Sequence, residues 1–152
     1  MSTENASQNF FDDIRRLREC LQGTLFLDRL KMPELEKLMS AMKKQRVPAG
    51  RPVFKQGDKA DTFYLVSGGR LSFWVQKGGV NQKVADLKPK DYFGETALIS
   101  DEPRSATVKA ETDCDLFILR KEDFKEILMA NPWIAKEIEA NIAHKAKIKK
   151  KP

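Results

Sequence analysis

Phe93-Gly94-Glu95-Thr96-Ala97-Leu98-Ile99-Ser100-Asp101-Glu102-Pro103-Arg104-Ser105-Ala106-Thr107 is the stretch from which the rest of the chain can be read. Gly94 permits a tight turn and a close backbone approach to a ligand. Glu95 through Leu98 suit the start of a short helix, whose unpaired N–H groups and positive dipole end favour an anion. The Glu95 carboxylate can accept a hydrogen bond from a ribose hydroxyl. Asp101, Glu102 and Pro103 end the turn, because the residue before a proline is pushed out of the α region. Arg104 then offers a fixed guanidinium fork to a phosphate, and Ser105 adds a hydroxyl and another backbone donor. Together these residues suit a small cradle for an anionic sugar-phosphate.

Outward from this stretch the chain reads as many short strands between helical ends. On the C-terminal side, Ser105 to Ala110 and Asp115 to Leu119 read as strands. On the N-terminal side, Val53-Phe54, Phe63 to Val66, Leu71 to Val75 and Val80 to Leu87 read as strands. Pro48, Gly50, Gly57-Asp58, Gly68-Gly69 and Gly78-Gly79 punctuate them as turns. Such a pattern predicts a mostly β fold, a β-sandwich or jelly-roll barrel, over residues 45–120. Asp58 and Asp61 are expected to satisfy local backbone donors as turn and cap residues rather than to bind metal.

Helices flank the barrel. Asn9 caps a predicted helix from about Phe10 to Gln22, with Phe10, Ile14, Leu17 and Leu21 at helical spacing. Leu25 to Leu30 reads as a helical turn, and Pro33 opens a helix over Glu34 to Lys44 with Leu35, Leu38, Met39 and Met42 inward. Residues 1–8 are expected to be a polar, disordered leader. Lys121 to Phe124 begins a C-terminal helix, which Asn131-Pro132 interrupts before a second one carrying Trp133, Ile134, Ile138, Ile142 and Ala146.

Composition narrows the function classes. At 152 residues the chain suits one domain. With 33% charged and 41% hydrophobic residues it fits a soluble globular class. It has no apolar run of membrane-spanning length and no signal peptide, so a cytoplasmic setting without membrane insertion is expected. Cys20 and Cys114 are then expected to be reduced. The formal charge of +6 owes most of its value to Lys145, Lys147, Lys149, Lys150 and Lys151, which leave the rest close to neutral. A nucleic-acid footprint is not supported. The single histidine, His144, lies in the C-terminal helix, so the clustered ligands of a metal-dependent barrel enzyme are missing. No nucleophile–base pair is legible, and the chain is expected not to be an enzyme.

The opening stretch resembles the phosphate-binding cassette of cyclic-nucleotide-binding domains, as found in cAMP- and cGMP-dependent kinases, nucleotide-gated channels and catabolite activator proteins. Phe93-Gly94-Glu95, the small apolar helix and Pro103-Arg104-Ser105-Ala106-Thr107 carry the resemblance. So do Val53, Gly57-Asp58, Asp61, Phe63-Tyr64, Val66 and Gly69, and the Leu25-Phe26 helical segment before them. The resemblance implies that Glu95 holds the ribose 2′-hydroxyl and that Arg104 pairs with the cyclic phosphate. It places the backbone amides of Ala97 and Ser105 at the phosphate oxygens, within a set that also includes Gly94, Thr96 and Ala106. Val84 and Ala85 are expected to form a small apolar wall beside the base.

Two positions depart from the family's pattern: Thr96 stands where leucine is usual, and Lys88-Pro89-Lys90-Asp91 replaces a glycine-rich turn. Ser105 points toward cGMP, while Ala85, in place of an arginine, points away from it, so cAMP and cGMP both stay open. The family's N-terminal helical pair and C-terminal helix move with the ligand, the latter as a hinged lid with Trp133 a candidate to cap the base. The expectation is therefore a cyclic nucleotide sensor without cofactor, relaying binding to a protein effector or to the rest of a longer chain. The alternative is a degenerate domain kept for protein contacts. A DNA-binding regulator would need a helix-turn-helix module after the C-terminal helix, and none is legible.

Overall fold

The computed structural model describes residues 15–19 and 29–140. The leader, Cys20, most of the Leu25 to Leu30 turn, His144 and the lysine-rich tail lie outside the described residues. Residues 15–19 are helical, as the spacing predicts, and Leu17 is buried.

Helix α1 (Met32–Ala41) opens on Pro33, whose missing N–H costs nothing in a first turn. Eight strands follow: β1 (Lys43–Val47), β2 (Pro52–Phe54), β3 (Thr62–Gly68), β4 (Leu71–Lys77), β5 (Val80–Leu87), β6 (Tyr92–Phe93), β7 (Thr107–Ala110) and β8 (Cys114–Arg120). A 3-10 turn, Glu95–Leu98, separates β6 from β7. Helix α2 (Lys121–Ala130) follows β8, and residues 133–140 are helical beyond Asn131-Pro132.

The strands form two four-stranded antiparallel sheets, ordered β1-β8-β3-β6 and β2-β7-β4-β5. They face one another as a jelly roll and are not hydrogen-bonded into a closed barrel. One expectation needs correction: the helix predicted to reach Lys44 ends at Ala41, and Lys43 already pairs with Ile118. Only Val47 of β1 is buried, so this strand carries no alternation for a reader to detect. Its pairing with β8 holds it.

The core has two compartments, divided by β3 and β8. Tyr64, Val66, Cys114 and Leu116 face the second sheet, where they pack with Leu71, Leu87, Phe93 and Val108. Phe63, Leu65, Phe117 and Leu119 face the helices, packing with Leu17, Leu30, Leu38, Phe124, Ile127, Ile134 and Ile138. Burial on both faces explains why Phe63 to Val66 reads as an unbroken apolar run. Asn131 Nδ2 donates to the Glu34 carboxylate, and Lys37 Nζ lies 2.9 Å from Glu126, so α1 and α2 are also joined by polar contacts. Leu98, at the end of the 3-10 turn, is buried in the helical compartment.

Asp58 shows the expected turn chemistry: its Oδ2 accepts from the Lys55 amide at 2.9 Å. Asp61 Oδ1 accepts instead from the Thr62 hydroxyl at 2.9 Å, a side-chain and not a backbone donor. Cys114 is a free buried thiol whose pKa burial pushes up. Among the described residues no helix is long and apolar enough to cross a membrane.

The turn after β5 is closed by the Asp91 amide donating to the Lys88 carbonyl at 3.0 Å and by the Lys88 amide donating to Asp91 Oδ2 at 2.9 Å. Lys90 sits in it at φ 79°, a conformation that costs a residue with a Cβ about 1–2 kcal/mol. Glycine's greater freedom in the unfolded chain offsets part of that cost. Lys90→Gly is therefore expected to stabilise the domain by about 0.5–1 kcal/mol, read as a higher urea midpoint with an unchanged m-value.

Candidate functional site

The 3-10 turn starts where Gly94 adopts φ 79°, ψ 18°. Two reasons require glycine there. The left-handed backbone suits it, and a Cβ at this position would lie 2.8 Å from Arg104 Nη1 and 3.0 Å from the Thr62 carbonyl oxygen. Gly94 thus lets the arginine lie directly against the start of the turn.

Arg104 is 7% exposed. Its backbone is clamped to the β2–β3 turn: the Arg104 amide donates to the Asp58 carbonyl and the Gly57 amide donates to the Arg104 carbonyl, both at 2.8 Å. Nη2 donates to the Thr62 carbonyl at 2.7 Å, whereas the buried Nε has no hydrogen-bond partner among the described residues. Burial pulls the guanidinium pKa down, opposed by Tyr64 in its ionised form and by the carboxylates of Asp61, Asp58 and Glu95. Burial likewise raises the pKa of Tyr64, with the Arg104 charge opposing. An arginine stays protonated in a protein, so the site holds a buried, incompletely satisfied cation. An anion that accepts from it would recover much of the desolvation cost.

Beside the arginine lies a cavity of about 410 Å³, within the range of small-molecule sites. Phe54, Phe73, Ala85, Leu87, Tyr92 and Phe93 line its apolar side. Gly94, Glu95, Thr96 and the segment Glu102 to Ala106 line the other. Glu95 is 6% exposed, with its charge close enough to act on Arg104. One carboxylate, one guanidinium and one apolar wall around a single space can take a hydroxylated, anionic and planar ligand.

Of the residues singled out from sequence, Gly94, Glu95, Thr96, Arg104, Ser105, Ala106 and Ala85 meet at this cavity. Two do not sit as expected. Val84 is 43% exposed and outside the lining, because the β4–β5 ladder shifts register between Phe73 and Trp74. Phe73 pairs with Ala85 and Trp74 with Lys83, so Val84 is the extra residue of a bulge. Ala97 is fully buried, and its amide donates to the Gly94 carbonyl at 3.1 Å inside the 3-10 turn. That bond already engages the amide that was expected to face a phosphate. Trp133 packs on the helical core and is not part of the lining.

Phe54, Phe73, Leu87, Tyr92, Glu102 and Pro103 were missed. Phe73 lies opposite Ala85 only through the register shift in the β4–β5 ladder, which regular counting from the turn does not give. Phe54 arrives from the far edge of the sheet, and nothing local announces it.

The sequence model of the cyclic nucleotide-binding domain matches residues 44–131. The chain belongs to this family. The cAMP-dependent protein kinase regulatory subunit of Emericella nidulans is 37% identical over 115 residues, covering 75% of this chain and 27% of that protein. The cyclic AMP receptor protein of Thermus thermophilus is 30% identical over 126 residues, covering 82% of this chain and 58% of the other. Among solved structures, the regulatory domain of Toxoplasma gondii PKA with cAMP matches with a TM-score of 0.71 at 29% identity, over 74% of this chain and 43% of that one. The chain therefore spans about a quarter to three fifths of the curated relatives it is compared with.

The cassette is tied to the C-terminal helix. Lys121, the first residue of α2, donates through Nζ to Asp101 Oδ1 at 2.6 Å and to the Ser100 carbonyl at 3.2 Å. The hydrogen bond from Lys121 holds the Asp101 carboxyl below its ordinary pKa. A groove of about 690 Å³ runs along this junction, lined by Leu98, Ile99, Leu128 and Met129 with Lys59, Lys121 and Lys125 at its rim. It lacks Arg104 and Glu95 and is a separate space from the cradle.

Proposed function

We propose that this domain is an intracellular sensor that binds a cyclic nucleotide, cAMP in preference to cGMP, and performs no catalysis. The observation that carries the reading is the buried Arg104, with an unpartnered Nε, beside Glu95 on one cavity. In this reading the guanidinium takes the cyclic phosphate and Glu95 accepts from the ribose 2′-hydroxyl. The base lies against Phe73, Ala85 and Leu87. Thr96, Ser105 and Ala106 complete the rim.

The preference for cAMP is supported by relatives whose names carry cAMP. It is also supported by the apolar β4–β5 wall, whose Phe73, Ala85 and Leu87 side chains bring no donor or acceptor to a guanine edge. Ser105, exposed on the rim, is the group that favours cGMP. A single such contact limits discrimination to about 1–3 kcal/mol.

Binding would be relayed through the two links between cassette and helices: Leu98 in the helical core, and Lys121 on Asp101 and Ser100. A ligand that prefers one arrangement of these contacts shifts the helices toward it. The effector, a kinase, channel or exchange factor, is either a separate protein or the rest of a longer chain. Direct contact with nucleic acid or membrane is not part of this reading.

Calorimetric titration of the nucleotide-free domain with cAMP, cGMP and AMP tests it. Binding of cAMP, weaker binding of cGMP and silence with AMP are expected. Silence with both cyclic forms would leave a degenerate domain that serves protein contacts.

A further inference from the structure

Arg104 lies on aromatic rings. Its guanidinium carbon sits 4.0 Å from the Phe54 ring centroid and 5.7 Å from that of Tyr64. The rings beneath belong to one cluster. Tyr64 stacks on Phe93 at 4.8 Å and 6°, Phe54 meets Tyr64 at 5.7 Å and Phe93 at 5.9 Å, and Phe73 meets Phe93 edge-on at 5.9 Å. At 4.0 Å Phe54 is close enough to stack on the planar cation, and burial strengthens such a contact.

Phe54 does not reach this position by regular strand geometry. The β2–β7 ladder shifts register between Pro52 and Phe54, where Pro52 opposes Lys109 and Phe54 opposes Val108. Successive side chains on a regular strand point to opposite faces, yet Val53 and Phe54 both pack against the core between the sheets. The bulge turns Phe54 inward, over the arginine. Just beyond it the strand end is pinned. The Gln56 amide donates to Thr107 Oγ1 at 2.9 Å, and the Gln56 side chain bonds both the amide and the carbonyl of Gln76.

We propose that Phe54 is a positioning residue for Arg104: stacked on the guanidinium, it fixes the plane in which the arginine meets an anionic phosphodiester, and so sets affinity for the ligand without touching the phosphate. The inference rests on the function proposed above. The stacked face is closed by the ring, so the guanidinium is left to bond through its N–H edge. One Nη2 N–H is fixed on the Thr62 carbonyl, and the guanidinium's other N–H groups are left to serve the ligand. Without the ring the side chain regains rotamers, and that freedom must be lost again on binding.

Phe54→Leu and Phe54→Tyr are the variants to compare, since leucine keeps an apolar side chain without a π-face and tyrosine keeps the face. By calorimetry, Phe54→Leu is expected to weaken cAMP binding by about 3- to 30-fold, and Phe54→Tyr to stay within about threefold of the parent. Spin relaxation at the Arg104 Nε–Hε group of the free protein is expected to give a high order parameter in the parent and in Phe54→Tyr, and a lower one in Phe54→Leu. A merely structural role would leave that order parameter unchanged. Equal losses in both variants, parent-like binding in Phe54→Leu, or an unchanged order parameter would each overturn the proposal. If the parent itself fails to bind cAMP, the proposed function fails, while the order parameter still decides whether Phe54 holds the arginine.

Discussion

Arg104→Leu is expected to lower cAMP affinity by about 2–5 kcal/mol while leaving the ligand-free fold nearly as stable as the parent. The two halves of that result have different causes. Affinity falls because the phosphate loses its charged donor in a site with little water around it. Stability holds because the parent already bears the cost of a buried guanidinium whose Nε is unpartnered, and leucine removes that charge while keeping apolar contact with Phe54 and Tyr64. The Thr62 carbonyl loses the Nη2 donor, a cost of about 1 kcal/mol that offsets the gain. In a melting experiment saturating cAMP should raise the midpoint of the parent and leave the variant unmoved. A variant that binds like the parent would remove Arg104 from the site. One that fails to fold would mean that its partners hold the fold as well as the ligand.

Gly69→Ala is expected to be the most damaging single methyl in the scaffold, at about 2–5 kcal/mol. Gly69 joins β3 to β4 at φ 86°, and a Cβ there would sit 2.4 Å from the Asp113 carbonyl oxygen, 2.7 Å from Cys114 Sγ and 2.9 Å from Cys114 Cα. Two of these three atoms are backbone, so relief requires moving the start of β8, the strand shared by both core compartments. Gly57 makes the control. Its φ is 91°, but nothing lies within 4 Å of an added Cβ, so Gly57→Ala should cost only the conformational part, about 1–2 kcal/mol. Urea unfolding of the two variants separates crowding from strain. Equal losses would mean that crowding at Gly69 is relieved without cost.

The cassette was legible because its chemistry is consecutive. Gly94, Glu95 and Arg104 sit within a dozen residues of sequence, and the turn that gathers them is local. The apolar runs Phe63 to Val66 and Leu71 to Val75 were legible because burial dictates their composition. The failures have a common cause in long-range pairing. Strand β1 is polar and exists through its ladder with β8. Strand β6 has two residues, too few for any period. Val84 is expected beside Ala85 on the wall, and one extra residue in the ladder turns it out. The ring on the arginine depends on another such residue, in β2. Bulges have no reliable composition, yet here two of them decide which side chains reach the cavity.

Ala97 illustrates a subtler limit. Ala97 lies in the turn, but the choice between an amide offered to a ligand and one spent on the Gly94 carbonyl depends on the turn being 3-10. Spacing alone does not distinguish that from the start of an α-helix.

The most direct test of the central claim is a crystal structure of the domain grown with cAMP. The account predicts the ligand in the cavity between Phe73 and the cassette, with its cyclic phosphate in hydrogen-bond contact with the Arg104 guanidinium and its ribose 2′-hydroxyl on Glu95. A nucleotide lodged elsewhere, in the groove along Lys121 and Met129 for instance, or a cavity left empty at saturating cAMP, would contradict it.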